Sequence, residues 1–270
     1  KRSQSFEKAS EAHNAYEEMT VKEKLSEEDR IYAFSQMARL DLYRGAMLED
    51  VSNSKRKEVL EGCIDNIDKI KDTKTEEYFY YKMTCIAFRG KLANFMGRVK
   101  YGLMMRSIQD DALKATTSKA GKLEAGVEAG GILRTLSAIR GNRKAKALGL
   151  YNPNEALSFI QIALKAPAKN VRPYPAPLSG SDYYENSYYL AQAHIALGLE
   201  DSQKDKITRG KEILKNTVEE LDMLEENDLL PQGREPETHF YKKLIHELLE
   251  SVNLCQKEKK WDSCLKDQLE

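Results

Sequence analysis

The sequence predicts an all-α fold of stacked antiparallel helical hairpins, an irregular tetratricopeptide-like superhelix. Three observations carry that prediction. Nearly every long segment repeats its apolar residues at a helical period. Glycine (15) and proline (7) are scarce among 270 residues, too few for the turns of a sandwich or barrel. No run of alternating β-branched residues is long enough to make a strand.

The elements follow in order. Residues 3–19 form a polar helix with Phe6, Ala9, His13 and Tyr16 along one stripe. Ser26 followed by Glu27, Glu28 and Asp29 is a helix start, and the helix runs to about Glu49. Residues 55–71 carry a one-sided stripe of Leu60, Cys63, Ile64, Ile67 and Ile70. Thr73 with Glu76 matches a capping box and opens a helix to about Met96. Residues 101–118 and 122–141 read as two more helices, broken at Gly121. Asn152-Pro153-Asn154-Glu155 is the sharpest start signal in the chain, and its helix ends near Pro167. Four prolines between 167 and 177 make Lys169–Ser181 a loop. Helices follow over 182–198, 206–226 and 236–257. The whole, 1–270, reads as a single all-α repeat domain.

The composition excludes several classes. With 43 basic and 43 acidic residues the net charge is zero, which rules out a wholly cationic nucleic-acid binder and a wholly acidic tail protein. At 41% hydrophobic and 32% charged, the chain can build a core and stay in water. No eighteen-residue apolar stretch exists, so no membrane span is expected. The chain begins Lys1-Arg2-Ser3, which fits a mature form from which a targeting segment has been removed. Cys63, Cys85, Cys255 and Cys264 allow two disulfides; 63 with 85 and 255 with 264 close the shortest loops. The other reading is four reduced thiols, with Cys63 and Cys85 as small core residues.

The zero hides a polarity. Between Arg89 and Lys146 stand thirteen basic residues against four acids, so the segment is +9 and the remainder −9. Arg134, Arg140, Arg143 and Lys144 are its candidate anion patch. The functional reading is an acidic lipid, nucleic acid or acidic protein face; the structural one is solvated faces paired with acidic helices. Aromatics are sparse between the basic residues, only Phe95 and Tyr101, so nucleic acid is not the expected partner.

Two segments resemble the tetratricopeptide repeat. Ala156, Ile160, Ala163 and Pro167 fit its second helix, and Leu190, Ala191, His194 and Gly198 fit its first. Ser187 and His194 depart from the usual tryptophan and tyrosine, and Gly210 or Ile213 stands where alanine is usual. The match is best over 152–226. Gly130-Gly131-Ile132-Leu133-Arg134, then Asn152-Pro153, then the Asn186–Gly198 helix resembles the periplasmic T component associated with tripartite ATP-independent periplasmic transporters. That resemblance implies a non-catalytic scaffold of the bacterial envelope, a transporter accessory that holds a protein partner or a small hydrophobic ligand. It implies a periplasmic or exported protein, lipid-anchored in its full-length form, although residue 1 is not a lipid-acceptor cysteine. It also implies a concave groove on the 182–198 helix. In that register Leu190, Ala191 and His194 point into the helix pair, while Tyr184, Glu185, Tyr188, Gln192 and Ile195 line the groove. A homo-oligomer is compatible with this arrangement.

No cofactor or catalytic motif is expected. There is no G-x-S-x-G, no phosphate loop and no dinucleotide fingerprint. His239 and His246 share a helix face but lack further ligands, so no metal site is predicted. Gly126, Gly130 and Gly131 read as a close-packing ridge on a helix. The tyrosines at 174, 183, 184, 188 and 189 suit an interface or ordinary packing. The 167–183 loop, with Arg172, Tyr174 and spaced prolines, reads as a lid, a partner-docking strip or a passive crossover.

Overall fold

The structure is a computed structural model and describes residues 3–21, 25–171, 174–231 and 233–258. Arg172 and Cys264 lie outside the described residues. The chain is all-α, its helices packed on their sequence neighbours, and it divides into two compact units, 1–117 and 118–270.

The first unit holds α1 (Ser3–Thr20), α2 (Glu27–Leu42), α3 (Asn53–Ile67), α4 (Glu76–Lys91) and α5 (Phe95–Ala115). Local capping sets the starts. Ser26, Ser52, Thr75 and Asn94 each accept a backbone N–H three residues on. The cap of α4 is therefore Thr75, not Thr73. Thr73 ends a 3-10 turn, and Lys74 follows in the left-handed region at φ 48°. The expected helix to Met96 divides at Leu92–Asn94, because Asn94 starts α5 by accepting from the Gly97 N–H at 2.9 Å.

Met37, Leu60, Ile67, Met83 and Ile86 fill the interior of this unit. Cys63 and Cys85 are disulfide-bonded there, joining α3 to α4. Polar residues fasten α1: His13 Nε2 lies 3.4 Å from the buried Asp41 carboxylate, which also binds Arg44. Arg44 in turn donates to Ser10 Oγ at 2.9 Å.

The second unit holds α6 (Gly131–Arg140), α7 (Pro153–Leu164), α8 (Tyr184–Glu200), α9 (Lys204–Glu226) and α10 (Glu235–Glu258). Asn152 caps α7 through the Glu155 N–H, with Pro153 at the first helical position. The Glu155 carboxylate does not reach back to the cap; it pairs with Arg140 at 3.2 Å. The α8–α9 crossing is close because two glycines lie in it. A Cβ on Gly198 would meet Ile207 at 2.5 Å, and one on Gly210 would meet the Ala191 carbonyl at 2.8 Å. Gly210 thus serves as a small residue at this crossing.

The expected helix over 122–141 is shorter than its pattern. Only 131–140 is α-helical. Gly121, Gly126 and Gly130 have positive φ, and so do Glu128 and Ala129, at 49° and 45°. Five left-handed residues within ten positions end any helix. Gly126 and Gly130 therefore lie before α6 rather than on it. The close-packing role survives at Gly130, whose missing Cβ would collide with Ala163.

Candidate functional site

The most heavily built polar feature of the second unit is an ion network in its interior. It draws on the 126–130 loop, α6, the loop before α8, the start of α8 and the segment leading into α10. Glu185 Oε1 accepts from Arg234 Nη2 at 2.7 Å and lies 3.7 Å from Arg134 Nη2. Arg134 Nη1 also donates to Asn186 Oδ1 at 3.1 Å and to the Glu128 carbonyl at 3.3 Å. Asn186 passes the connection on, donating to the Gly180 carbonyl at 2.8 Å. The Tyr183 hydroxyl donates to Glu128 Oε2 at 2.9 Å.

Tyr183 stacks against both cations. Its ring centroid lies 3.7 Å from the Arg234 guanidinium carbon and 4.9 Å from that of Arg134. Tyr174 stacks against Arg234 more loosely, at 5.9 Å. Arg134, Glu185, Arg234 and Glu128 are each at least nine-tenths buried. Two guanidinium groups balance two carboxylates, as buried charges must be balanced. Burial alone would raise the Glu185 carboxyl, but Arg234 and Arg134 overcome it and hold it below the usual carboxylate range. Burial, with Glu128 beside it, keeps the Tyr183 hydroxyl protonated well above the usual phenol range.

The network holds the proline loop. Lys169 and Leu178 exchange both backbone hydrogen bonds, at 3.0 and 2.9 Å. Below that bridge Gly180 N–H donates to the Ala166 carbonyl at 2.9 Å, and Ser179 with Asp182 forms a capping box. Gly180 has no room for a side chain, since a Cβ would collide with the Ala163 carbonyl. The loop is therefore closed at its base and seated on α7. Its tip, Pro175-Ala176-Pro177, is exposed. Under it lies a small recess lined by Ala125, Ala129, Ala166, Val171 and Leu178, with Lys169 on the rim.

The residues expected to line a groove are in the interior instead. Tyr184, Glu185, Tyr188, Gln192 and Ile195 are all buried. Twelve of the seventeen residues of α8 are buried, and its one partly exposed stripe is Ser187, Leu190 and His194, the side expected to point into the helix pair. Ile195 packs against Gly210, Tyr188 against the rings of Tyr189 and Tyr241, and the Tyr184 hydroxyl donates to Glu220 at 3.2 Å.

The expected anion patch is divided in the same way. Arg134 is inside the network, and Arg140 pairs with Glu155 and donates to the Leu150 carbonyl at 3.2 Å. Arg143 and Lys144 lie on a surface 3-10 turn. Two residues assigned to different sites, Glu185 and Arg134, thus belong to one network. Tyr183 stood out only as one of the clustered tyrosines, and Arg234, Glu128 and Asn186 were not singled out for a site. Of these Asn186 has a local signal, as the polar neighbour of Glu185 at the start of α8.

Among the described residues no group of three or more His, Cys, Asp or Glu side chains is placed to hold a metal. His239 pairs with Glu225 at 3.1 Å on the surface. No family model matches the chain, and no curated protein matches it.

Proposed function

We propose that the protein is a non-catalytic scaffold that binds a protein partner through the exposed tip of its proline loop. The observation that carries this is the clamp. Arg134, Glu185 and Arg234 are not exposed to recognise a ligand; they and Asn186 hold the base of a loop whose apolar tip faces outward. A pre-ordered loop loses little conformational freedom on binding, so its contact area converts more fully into affinity. Prolines reinforce this, since their φ is already restricted. The recess under the loop takes little more than a water-sized group, which favours a protein partner over an enclosed ligand.

The resemblance to the T component of tripartite ATP-independent periplasmic transporters supplies the setting: a periplasmic or exported accessory of a transport system, assembled from tetratricopeptide-like hairpins. The Cys63–Cys85 disulfide supports an oxidising compartment. No helix among the described residues is long and apolar enough to cross a membrane.

The test is co-purification from the native host under crosslinking, comparing the parent chain with a Pro175→Ser/Pro177→Ser variant. Both positions are exposed, so the variant is expected to melt with the parent. A transport-system component should be enriched by the parent and lost with the variant. The same captured set from both chains would overturn the assignment of the loop.

A further inference from the structure

The first unit carries an exposed apolar stripe within a basic stretch. Helix α5 buries Tyr101, Met105, Gln109 and Ala112, one row at helical spacing. On the opposite side, Met96 and Leu103 are 72% and 54% exposed, with Val99 between them and Phe95 beside them at 77%. Met96, Val99 and Leu103 stand at i, i+3 and i+7, so they form one face. An apolar face left in water at the start of a 21-residue helix calls for a partner surface.

The surrounding charge says which kind. Between Glu77 and Asp110 the sequence has no acidic residue and six basic ones. Two are used inside the unit, Lys82 on Asp68 and Arg89 on Glu61. Arg98, Lys100 and Arg106 are exposed on α5 and pair with no carboxylate among the described residues. Over the first half of α5, apolar side chains at the centre of a helix face, flanked by Lys100 and Arg106 and with no acid before Asp110, complement a surface that is apolar beneath and anionic at its rim. The headgroup layer of an anionic membrane has that layout.

We propose that the first half of α5 docks on an anionic membrane surface. Phe95, Met96, Val99 and Leu103 would enter the headgroup–acyl boundary, and Lys100 and Arg106 would bind lipid phosphates. The helix lies on the membrane and does not span it. This surface belongs to the first unit and is independent of the proline loop, so the two assignments fail separately.

The experiment is co-sedimentation of the full chain with vesicles of phosphatidylglycerol and phosphatidylcholine, against vesicles of phosphatidylcholine alone. Binding is expected to the anionic vesicles, and to fall as salt is raised. Lys100→Ala with Arg106→Ala should weaken it about twenty-five-fold, roughly fivefold for each cation removed. Phe95→Ser with Leu103→Ser should weaken it at least about tenfold through lost apolar burial. Thermal melts establish that the variants fold; if the apolar variant does not, the charge variant decides. Equal binding to both vesicle types, or variants that bind like the parent, would overturn the proposal. So would a dimer, detected by sedimentation velocity, that Phe95→Ser with Leu103→Ser dissolves, because a second copy would then be what covers the face.

Discussion

Arg234 and Glu185, 49 residues apart in sequence, meet in the interior of the second unit with Nη2 and Oε1 2.7 Å apart. The pair joins the segment before α10 to the first turn of α8, and through Arg134 and Asn186 it reaches the base of the proline loop. The pair thus adds an ionic tie to a loop base that backbone hydrogen bonds already close.

Arg234→Met is expected to destabilise the second unit by about 3–5 kcal/mol, because it leaves a buried carboxylate with Arg134 at 3.7 Å as its remaining ion partner. Arg234→Lys should recover only part of the loss: an ammonium lacks the planar fork that donates to Glu185 and stacks on Tyr183. Denaturant titration of the three chains measures both differences. An Arg234→Met chain as stable as the parent would remove the clamp from the account.

The same pair sets an acid limit. The folded Glu185 carboxyl is held below its ordinary value of 4.5. The unfolded chain therefore takes up the proton first, and stability must fall as the pH falls. The contribution is complete above about pH 4.5 and is lost below it, as the pH passes through the lower folded value. Urea midpoints at pH 7 and pH 3.5 should differ more in the parent than in Glu185→Gln, which has no proton to gain there.

Two glycines separate backbone strain from crowding. Gly149 has φ 68° and open space around the site of a Cβ, so Gly149→Ala should cost about 1 kcal/mol from conformation alone. Gly130 has φ 93° and lies against Ala163, so Gly130→Ala adds overpacking and should cost about 2–4 kcal/mol. Thermal midpoints of the two variants compare the effects directly. Equal losses would mean that the 126–130 loop yields to Ala163 at no cost.

The Cys63–Cys85 bond closes a loop with a sequence separation of 22. Replacing both cysteines with alanine should cost about 3 kcal/mol by freeing that loop in the unfolded chain. The two sulfurs are buried, so the folded parent should resist mild reductant and lose the bond only as the first unit opens. Thiol titration with and without denaturant reports this.

The sequence by itself determined the helical class and most helix starts. Helical period and N-caps act over three or four residues, so Ser26 and Asn152 could be read without knowing what they pack on. Over 122–141 the pattern predicted one helix, but backbone conformation at Glu128 and Ala129 broke it, and neither side chain announces a positive φ. The site was legible only in pieces. Glu185 and Arg134 stood out as charged residues in promising segments, but assigning them to a groove and to a basic patch assumed that both faced water. Tertiary packing decided otherwise. With α8 enclosed by its neighbours, a charge on it has no solvent, and desolvation requires the chain to bring Arg134 and Arg234 to it from 51 residues before and 49 after. Pairing over such distances depends on how helices stack, and local sequence does not encode it.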